Sequence, residues 1–407
     1  MKSPNLYAGT VLINGADTIT GYNAARSIAG QGFKIYGQAT NPQSLYLKSK
    51  IWRNVFIEEA LPSKLIKLST KILENEPVNC FKPVLILNQD MAVERAAKAQ
   101  SELGQHFQFQ LPTQQNTLRM LDKTEFETWA SQNDICTPKS YIAATPEDVR
   151  KALRSLDYPI VIKPLVRTPA WDALHPHNKA FKLNEAPQPV NGTENHTESF
   201  YTELLKLTDR LIIQEWINGG DHDVYFVLAH IGKTKTTSLC GRKITQWPRL
   251  TGSTSMCVTH IDPELEQLGL SILNKAGLKG LGSVEFKKDQ TRNQYYVTEP
   301  TVGRNDYQSY IASASNINLN LYYVLDCLGY HYQVNQQPQK ALWADEMGYL
   351  RSFRDPNSSE TLAALIKRLY RRKIGLANTS RGDLTVSLGF IKALLKTISA
   401  MLLKRES

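Results

Sequence analysis

The sequence predicts an α/β protein whose N-terminal third builds a parallel sheet, and three observations predict it. Short apolar runs stand at Val11-Leu-Ile-Asn-Gly-Ala16, Lys34-Ile-Tyr-Gly-Gln38 and Pro83-Val-Leu-Ile-Leu-Asn88, each of strand length. An amphipathic helix from Ile19 to Ala29 separates the first two, and another runs from Met91 to about Leu103 after the third. Strand, helix and strand in this rhythm mean parallel strands with both faces covered. At 407 residues the chain is long for one core, so two or three packed lobes are expected.

The remaining elements follow in order. Glu147 to Leu156 reads as a helix and Pro159-Ile-Val-Ile-Lys163 as a strand, whereas residues 165–195 are rich in Pro, His, Asn and Gly and predict a mobile loop or hairpin. Strand patterns return at Arg210–Trp216, Asp223–His230 and Thr236–Arg242. Pro263 to Gly277 is helical, Gly282–Lys287 pairs with Gln294–Glu299 as a hairpin, and Asn316 to Leu328 closes the body. From Leu384 the apolar residues fall at Leu384, Leu388, Ile391, Leu395, Ile398 and Leu402, widened by Phe390, Leu394 and Met401, with Lys392, Lys396 and Ser399 off the stripe. That is an amphipathic, cationic helix over residues 384–404. No repeat is visible at solenoid periods.

Composition narrows the function classes. With 42% hydrophobic and 21% charged residues the chain reads as a soluble α/β protein, without the ~18–20 apolar residues in a row that span a bilayer. Its first residues run straight into a strand, so no secretory leader is expected. Five scattered cysteines without a CxxC pair suit a reducing compartment. The net charge of +10 is uneven: from Lys367 onward ten cations stand against Asp383 and Glu406, which places +8 of it in the tail. The body is therefore close to neutral, and nucleic acid is not an expected partner.

Chemistry is carried by an ordered set. Lys123 lies in Leu121-Asp-Lys-Thr-Glu-Phe126, Lys163 ends an apolar strand, and Glu285 and Glu299 sit on the two arms of the predicted hairpin. Two separated cations followed by two carboxylates suit a nucleoside triphosphate with magnesium, since the lysines neutralise phosphate oxygens and the glutamates hold the bridging metal.

This set resembles the ATP-grasp fold, over roughly residues 6 to 330. The resemblance implies a Rossmann-like domain at residues 1–112, a two-lobed ATP-grasp domain at 113–335 and a basic helical tail at 336–407. It implies ATP as cofactor with two Mg²⁺ ions. Lys123 and Lys163 look like the phosphate ligands, and Glu215, Trp216 and Ile217 like the hinge that presents backbone groups to adenine. Asp221 and Asp223 are the candidates for the ribose, with His222 beside the nucleotide, and Glu285 and Glu299 look like the metal ligands. The run Glu299-Pro-Thr-Val-Gly-Arg304 departs from the family's E-x-N-x-R. It puts Thr301 where a ligating Asn is expected, so water, Asn305 or Asp306 would complete the shell. Residues Glu299 to Gln308 also resemble bacterial ATP-grasp proteins associated with exopolysaccharide and exosortase loci.

Two arginines are the expected catalytic cations, with Lys163. Arg304 follows a metal ligand directly, where charge develops in phosphoryl transfer. Arg242 lies in Cys240-Gly-Arg-Lys-Ile-Thr-Gln-Trp247, ahead of a Gly252-Ser-Thr254 turn, a pattern that suits an oxyanion and is read as the acceptor side of the cleft, clamping either a substrate carboxylate or the acyl phosphate. His175, His177 and His222 lack partners at zinc spacing. Asn14-Gly15 to Gly21 follows the first strand as a dinucleotide turn would, but it is not GxGxxG, and no acid ends the second strand near Gln38. That turn is read as a contact to the second substrate.

The expected function is a carboxylate-amine ligase that makes an acyl phosphate and passes it to an amine. The tail's apolar stripe and cationic flank predict attachment to an anionic membrane surface, with a partner protein as the rival, and the expected place is the bacterial cytoplasm, peripheral on the inner membrane face. The readings from other classes are an NAD(P)-linked oxidoreductase on the N-terminal domain and a non-catalytic, ATP-binding membrane adaptor. The identity of the carboxylate and amine is not legible, and for oligomeric state the expectation goes no further than a homodimer.

Overall fold

The computed structural model describes residues 7–76, 81–166, 168–174, 180–185, 196–335, 337–356, 358 and 360–403. Its first sheet holds β1 (Thr10–Asn14), β2 (Lys34–Ala39), β3 (Asn54–Ile57) and β4 (Val84–Ile86), all parallel in the order β3-β2-β1-β4. Helices α1 (Ile19–Ile28), α2 (Pro62–Asn75), α3 (Asp90–Lys98) and α4 (Gln100–His106) accompany it. The helix expected over Met91–Leu103 is thus two, broken at Ala99, whose backbone (φ −113, ψ 25) leaves the helical range. Thr18 caps α1 by accepting from the Gly21 amide at 3.1 Å. Gly21 has no room for a Cβ, which would fall 2.1 Å from the Gly15 carbonyl oxygen, so glycine is required where the turn closes.

Helices α5 (Gln114–Leu121) and α6 (Lys123–Gln132) lead to the second sheet. It consists of β5 (Ser140–Ala143), β6 (Ile160–Pro164), β7 (Phe181–Leu183) and β8 (Leu211–Glu215), antiparallel in the order β5-β8-β6-β7. With α7 (Pro146–Ser155), α8 (Pro169–Leu174) and α9 (His196–Leu207) it encloses the buried Trp171 and Tyr201. The expected loop at 165–195 therefore contains a short helix and a strand, while His175 and His177 lie outside the described residues.

The third sheet has seven strands in the order β13-β12-β9-β10-β11-β14-β15. They are β9 (Val224–Ile231), β10 (Thr236–Trp247), β11 (Ser253–Thr259), β12 (Gly280–Asp289), β13 (Gln294–Val302), β14 (Ala341–Ala344) and β15 (Lys373–Leu376). On one face α10 (Pro263–Lys275) buries Leu265 and Ile272 against Tyr225, Val227, Val284 and Phe286. The other face places Phe226, Leu228, Leu281 and Trp343 in one core with Val11, Ile13 and Ile28 of the first domain. The chain reaches that core through α11 (Tyr310–Ala314) and α12 (Leu319–Leu328).

Residues 336–407 depart from the expected helical tail, because β14 and β15 complete the large sheet. All four residues of β14 are buried, and so short a run carries no alternation to betray a strand. Helices α13 (Glu346–Phe353) and α14 (Leu362–Leu369) flank these strands, and α15 (Leu384–Leu403) ends the described chain. α15 has two apolar sides. Val386 and Phe390 are buried, Gly389 packs against Leu45, and Asp383 accepts a 3.0 Å hydrogen bond from the Tyr22 hydroxyl. The stripe read from the sequence faces outward: Leu384 is 65% exposed, Leu388 65%, Ile391 43% and Leu395 58%.

Candidate active site

The site is built on the hairpin β12–β13. Glu285 and Glu299 are directly opposite in its register, so both side chains leave the same face of the sheet. A bulge follows immediately, and the extra residue, Thr298, donates from its hydroxyl to the Glu285 carboxylate at 3.2 Å. Crowding by protein and the neighbouring Glu285 carboxylate push the Glu299 carboxyl up, with Arg304 opposing. Repulsion of this kind is relieved by a cation between the two groups. Among the described residues no three His, Cys, Asp or Glu side chains form a metal cluster. Two carboxylates nonetheless fit magnesium, which binds through one or two carboxylates plus substrate phosphates and water.

Lys243 joins the pair from β10. Glu285 is level with Phe226 on β9, and Phe226 with Gly241 on β10; Lys243, two residues further, shares that face. Its ammonium forms a 2.5 Å ion pair with Glu285. Burial works against the charge, but Glu285, Asp306 and Glu299 outweigh it and hold the ammonium above its ordinary range. The sequence signal for Lys243 was present in the Cys240–Trp247 stretch, but the choice between it and Arg242 needed the register of β10.

The predicted phosphate lysines come to the same place. Lys123 opens α6, whose cap Asp122 accepts from the Thr124 and Glu125 amides at 2.8 and 2.9 Å. Its ammonium donates to the Leu165 carbonyl at 3.0 Å. Lys163, on β6, donates to the Gln214 side chain on β8 at 3.3 Å. Burial lowers both lysines, and Lys123 lowers Lys163 further, while Glu299 and Glu127 oppose the effect on each. The two lysines and Glu299 thus share one electrostatic neighbourhood.

At the hinge the Glu215 amide donates to the Lys139 carbonyl at 2.9 Å and the Trp216 amide to the Pro159 carbonyl at 3.1 Å. The Trp216 N–H is therefore engaged inside the protein, and Ile217 is buried beside it. The Glu215 side chain caps the Lys139 amide at 2.9 Å. Above the Trp216 ring lie two ammonium groups, Lys287 at 3.7 Å and Lys182 at 4.6 Å. Lys287 is a second residue missed from sequence, although it lies two positions after Glu285 and so on the same face. Burial pulls its ammonium down to about 8, with Asp221 and Asp223 opposing.

Asp221 and Asp223, the ribose candidates, accept hydrogen bonds within the protein. Asp221 accepts from the Gln246 and Leu250 amides at 2.9 and 2.7 Å, and Asp223 from the Gly220 amide and the Gln290 side chain at 2.7 and 2.6 Å. Both are buried and tie the post-hinge turn to β10 and β12, whereas His222 projects outward with its side chain 63% exposed.

Arg304 closes the other end. Its Nε donates to Asp90 at the start of α3, and its Nη1 to the Asn305 carbonyl at 3.0 Å. Asn305 in turn donates to Asn88 at 3.1 Å and to Asn320 at 2.8 Å. These bonds dock the end of the first sheet against the carboxylate pair, and they leave Asn305 in a structural role. Thr301 is buried, paired with Ser283 across the hairpin. Asp306 is held by the Ser283 hydroxyl at 3.0 Å, the Gln308 amide group at 2.9 Å and the Tyr307 amide at 2.7 Å. Gln38, where a dinucleotide site would place an acid, is fully buried, accepts from Asn14 at 2.6 Å and donates to the Glu58 carbonyl.

Arg242 does not join this set. It is adjacent to Lys243 on β10 and level with Tyr225, so it leaves the opposite face of the sheet. That single step of register puts the expected clamp on a substrate carboxylate or the acyl phosphate on the face of β10 away from Lys243.

No protein-family model and no curated protein sequence matches the chain. Solved structures do. N5-carboxyaminoimidazole synthetase from Staphylococcus aureus complexed with ADP is similar at a TM-score of 0.62 and 14% identity, over 84% of this chain and 83% of that one. Biotin carboxylase from Campylobacter jejuni, in a β-γ-ATP complex, gives 0.59 and 13% over 82% of this chain and 74% of that one. Phosphoribosylglycinamide synthetase from Anaerococcus prevotii gives 0.55 and 14% over 83% and 80%. The chain has the ATP-grasp fold.

Proposed function

We propose that this chain is an ATP- and magnesium-dependent ligase that activates a carboxylate as an acyl phosphate for attack by an amine. The observation that carries the reading is the opposed pair Glu285 and Glu299, set in the same electrostatic neighbourhood as Lys123, Lys163 and Lys243. Glu285 and Glu299 would hold Mg²⁺, which supplies charge neutralisation of the triphosphate. Lys123 and Lys163 bind phosphate oxygens, and the backbone of Glu215 and Ile217 faces the base. A substrate carboxylate oxygen attacks the γ-phosphorus and ADP leaves. The amine nitrogen then attacks the acyl carbon, phosphate departs, and the nitrogen loses a proton. Lys243 and Arg304 offset the negative charge that builds up in the first step. The carboxylate needs no covalent partner in the protein, so positioning does most of the work.

The second substrate belongs at the end of the first sheet, where Asn14, Asn88 and the Gly15 turn meet the Arg304 segment. In open α/β sheets ligands gather beyond the carboxyl ends of the strands. The outward stripe of α15 and the cationic tail support a peripheral position on an anionic membrane surface. Among the described residues no helix is long and apolar enough to cross a membrane.

The test is ADP release, measured with paired carboxylates and amines in the presence of magnesium. ADP formation that needs both substrates supports a ligase. Turnover of NAD(P)H without ADP formation would instead give the N-terminal domain the chemistry.

A further inference from the structure

The outward apolar stripe of α15 has a counterpart on α14, which flanks the large sheet. Leu362, Ile366, Leu369 and Tyr370 stand at i, i+4, i+7 and i+8, so they share one side of that helix. This side is in solvent: Leu362 is 64% exposed, Ile366 60% and Tyr370 66%. Ile374, on the edge strand β15, is exposed as well. Leu365, further round the helix, packs on Ile244, Met256, Val258 and Leu342 of the large sheet. The helix is thus fixed to the body by a different residue, and its outward apolar side is left over.

Charge says what covers that side. From Thr361 to Gly382 the chain carries six cations, Lys367, Arg368, Arg371, Arg372, Lys373 and Arg381, and no acid. Only Arg368 among them is ion-paired to a described residue, Glu360. Aliphatic side chains on one side of a helix, with cations beside them, match a segment that lies in the headgroup region of anionic lipid. A second copy fits poorly, because a two-fold contact through this patch would bring two such cationic runs together. The same combination recurs on α15, where the exposed Lys392 and Lys396 accompany the outward Leu388 and Leu395. That helix is anchored elsewhere, on Leu45 and Tyr22 of the first domain. One chemistry repeated on two separately anchored elements suits a continuous lipid surface better than a single protein groove.

We propose that α14 is a second membrane-inserting element, so that the chain docks on anionic phospholipid through the large sheet as well as through α15. This rests on the reading of the chain as a peripheral membrane protein. Leu362, Ile366 and Tyr370 enter the acyl boundary, while Lys367, Arg371 and Lys373 hold the phosphate-bearing headgroups. Because Leu365 ties α14 to the sheet that carries Glu285 and Glu299, lipid contact fixes the cleft at the membrane surface instead of tethering it by the tail alone.

The experiment is co-sedimentation with phosphatidylcholine vesicles containing phosphatidylserine. It uses the full chain as wild type, Leu362→Glu with Ile366→Glu, Arg371→Gln with Lys373→Gln, and Leu388→Glu with Leu395→Glu. Wild type is expected to sediment, and the apolar pair and the charge pair each to need about tenfold more lipid. Circular dichroism establishes that each variant is folded, and the exposed charge pair keeps the test open should the apolar pair fail to fold. Wild-type affinity in both of these pairs, with binding lost in the α15 variant, would confine the contact to α15 and overturn this proposal alone. No sedimentation of wild type would overturn it together with the membrane reading.

Discussion

Lys243 and Glu285 form a 2.5 Å ion pair that spans the intervening strand β9 on the cleft face of the large sheet. The pair is nearly buried on the lysine side, at 5% exposure, and more open on the glutamate side, at 24%. The other oxygen of that carboxylate accepts from the Thr298 hydroxyl at 3.2 Å, so both ends of the group are held.

Removal of that lysine separates positioning from binding. Lys243→Met is expected to lower the rate of ADP formation by about a hundredfold, the scale of one lost electrostatic contact to developing charge. Its Mg·ATP affinity is expected to change by less than about tenfold, because Lys123 and Lys163 remain. A parallel kinetic and calorimetric comparison checks both figures.

Glu299→Gln should act in opposite directions on stability and on metal. Its carboxyl is pushed up by crowding and by Glu285, so without magnesium the neutral amide relieves repulsion and thermal stability rises. The stabilisation that wild type gains from added Mg·ATP is expected to disappear in the variant. Thermal melts with and without Mg·ATP measure both effects.

His230 gives a pH signature. It is fully buried, neither ring nitrogen has a hydrogen-bond partner among the described residues, and burial pulls it from 6.5 to about 4, with Asp326 opposing. Between these values the unfolded chain binds a proton that the folded chain does not, so stability falls as pH falls through that window. The loss by pH 4 amounts to about 3 kcal/mol. His230→Leu should flatten the decline between pH 6.5 and 4 in denaturant titrations, and an unchanged slope would refute the assignment.

The tail should bind lipid by two devices at once. Vesicles rich in phosphatidylserine are expected to sediment the wild type and to release it at high salt, whereas neutral vesicles should not hold it. Leu388→Glu with Leu395→Glu places charge on the exposed stripe of α15 and should abolish sedimentation without unfolding the body. Equal binding to neutral vesicles, or none at all, would count against a membrane-facing tail.

Much of the site was legible in the sequence because β-structure has a simple period. A hairpin over Gly282–Lys287 and Gln294–Glu299 already implies that Glu285 and Glu299 share a face, and the structure places them opposite each other. Lys163 was marked by the apolar strand it ends. What stayed hidden depends on contacts between distant segments. Arg242 and Lys243 are neighbours in sequence, and only the pairing of β10 with β9 decides which one faces the cleft. That Asp221 and Asp223 also tie the post-hinge turn to the Gln246, Leu250 and Gly220 amides is set by contacts with β10 that no local pattern shows. Asp90 carries no motif and meets Arg304 only through the docking of two domains. β14 and β15 are each four residues long, too short for a pattern, and they gain their identity from the edge of β11.

The central claim is that Glu285, Glu299, Lys123 and Lys163 form one nucleotide and metal site. Magnesium-dependent ATP binding by calorimetry, on wild type, Lys163→Ala and Glu299→Gln, tests it most directly. The account predicts saturable binding in wild type that needs magnesium and weakens by about tenfold or more in each variant. ATP binding that ignores magnesium, or survives both substitutions unchanged, would contradict it.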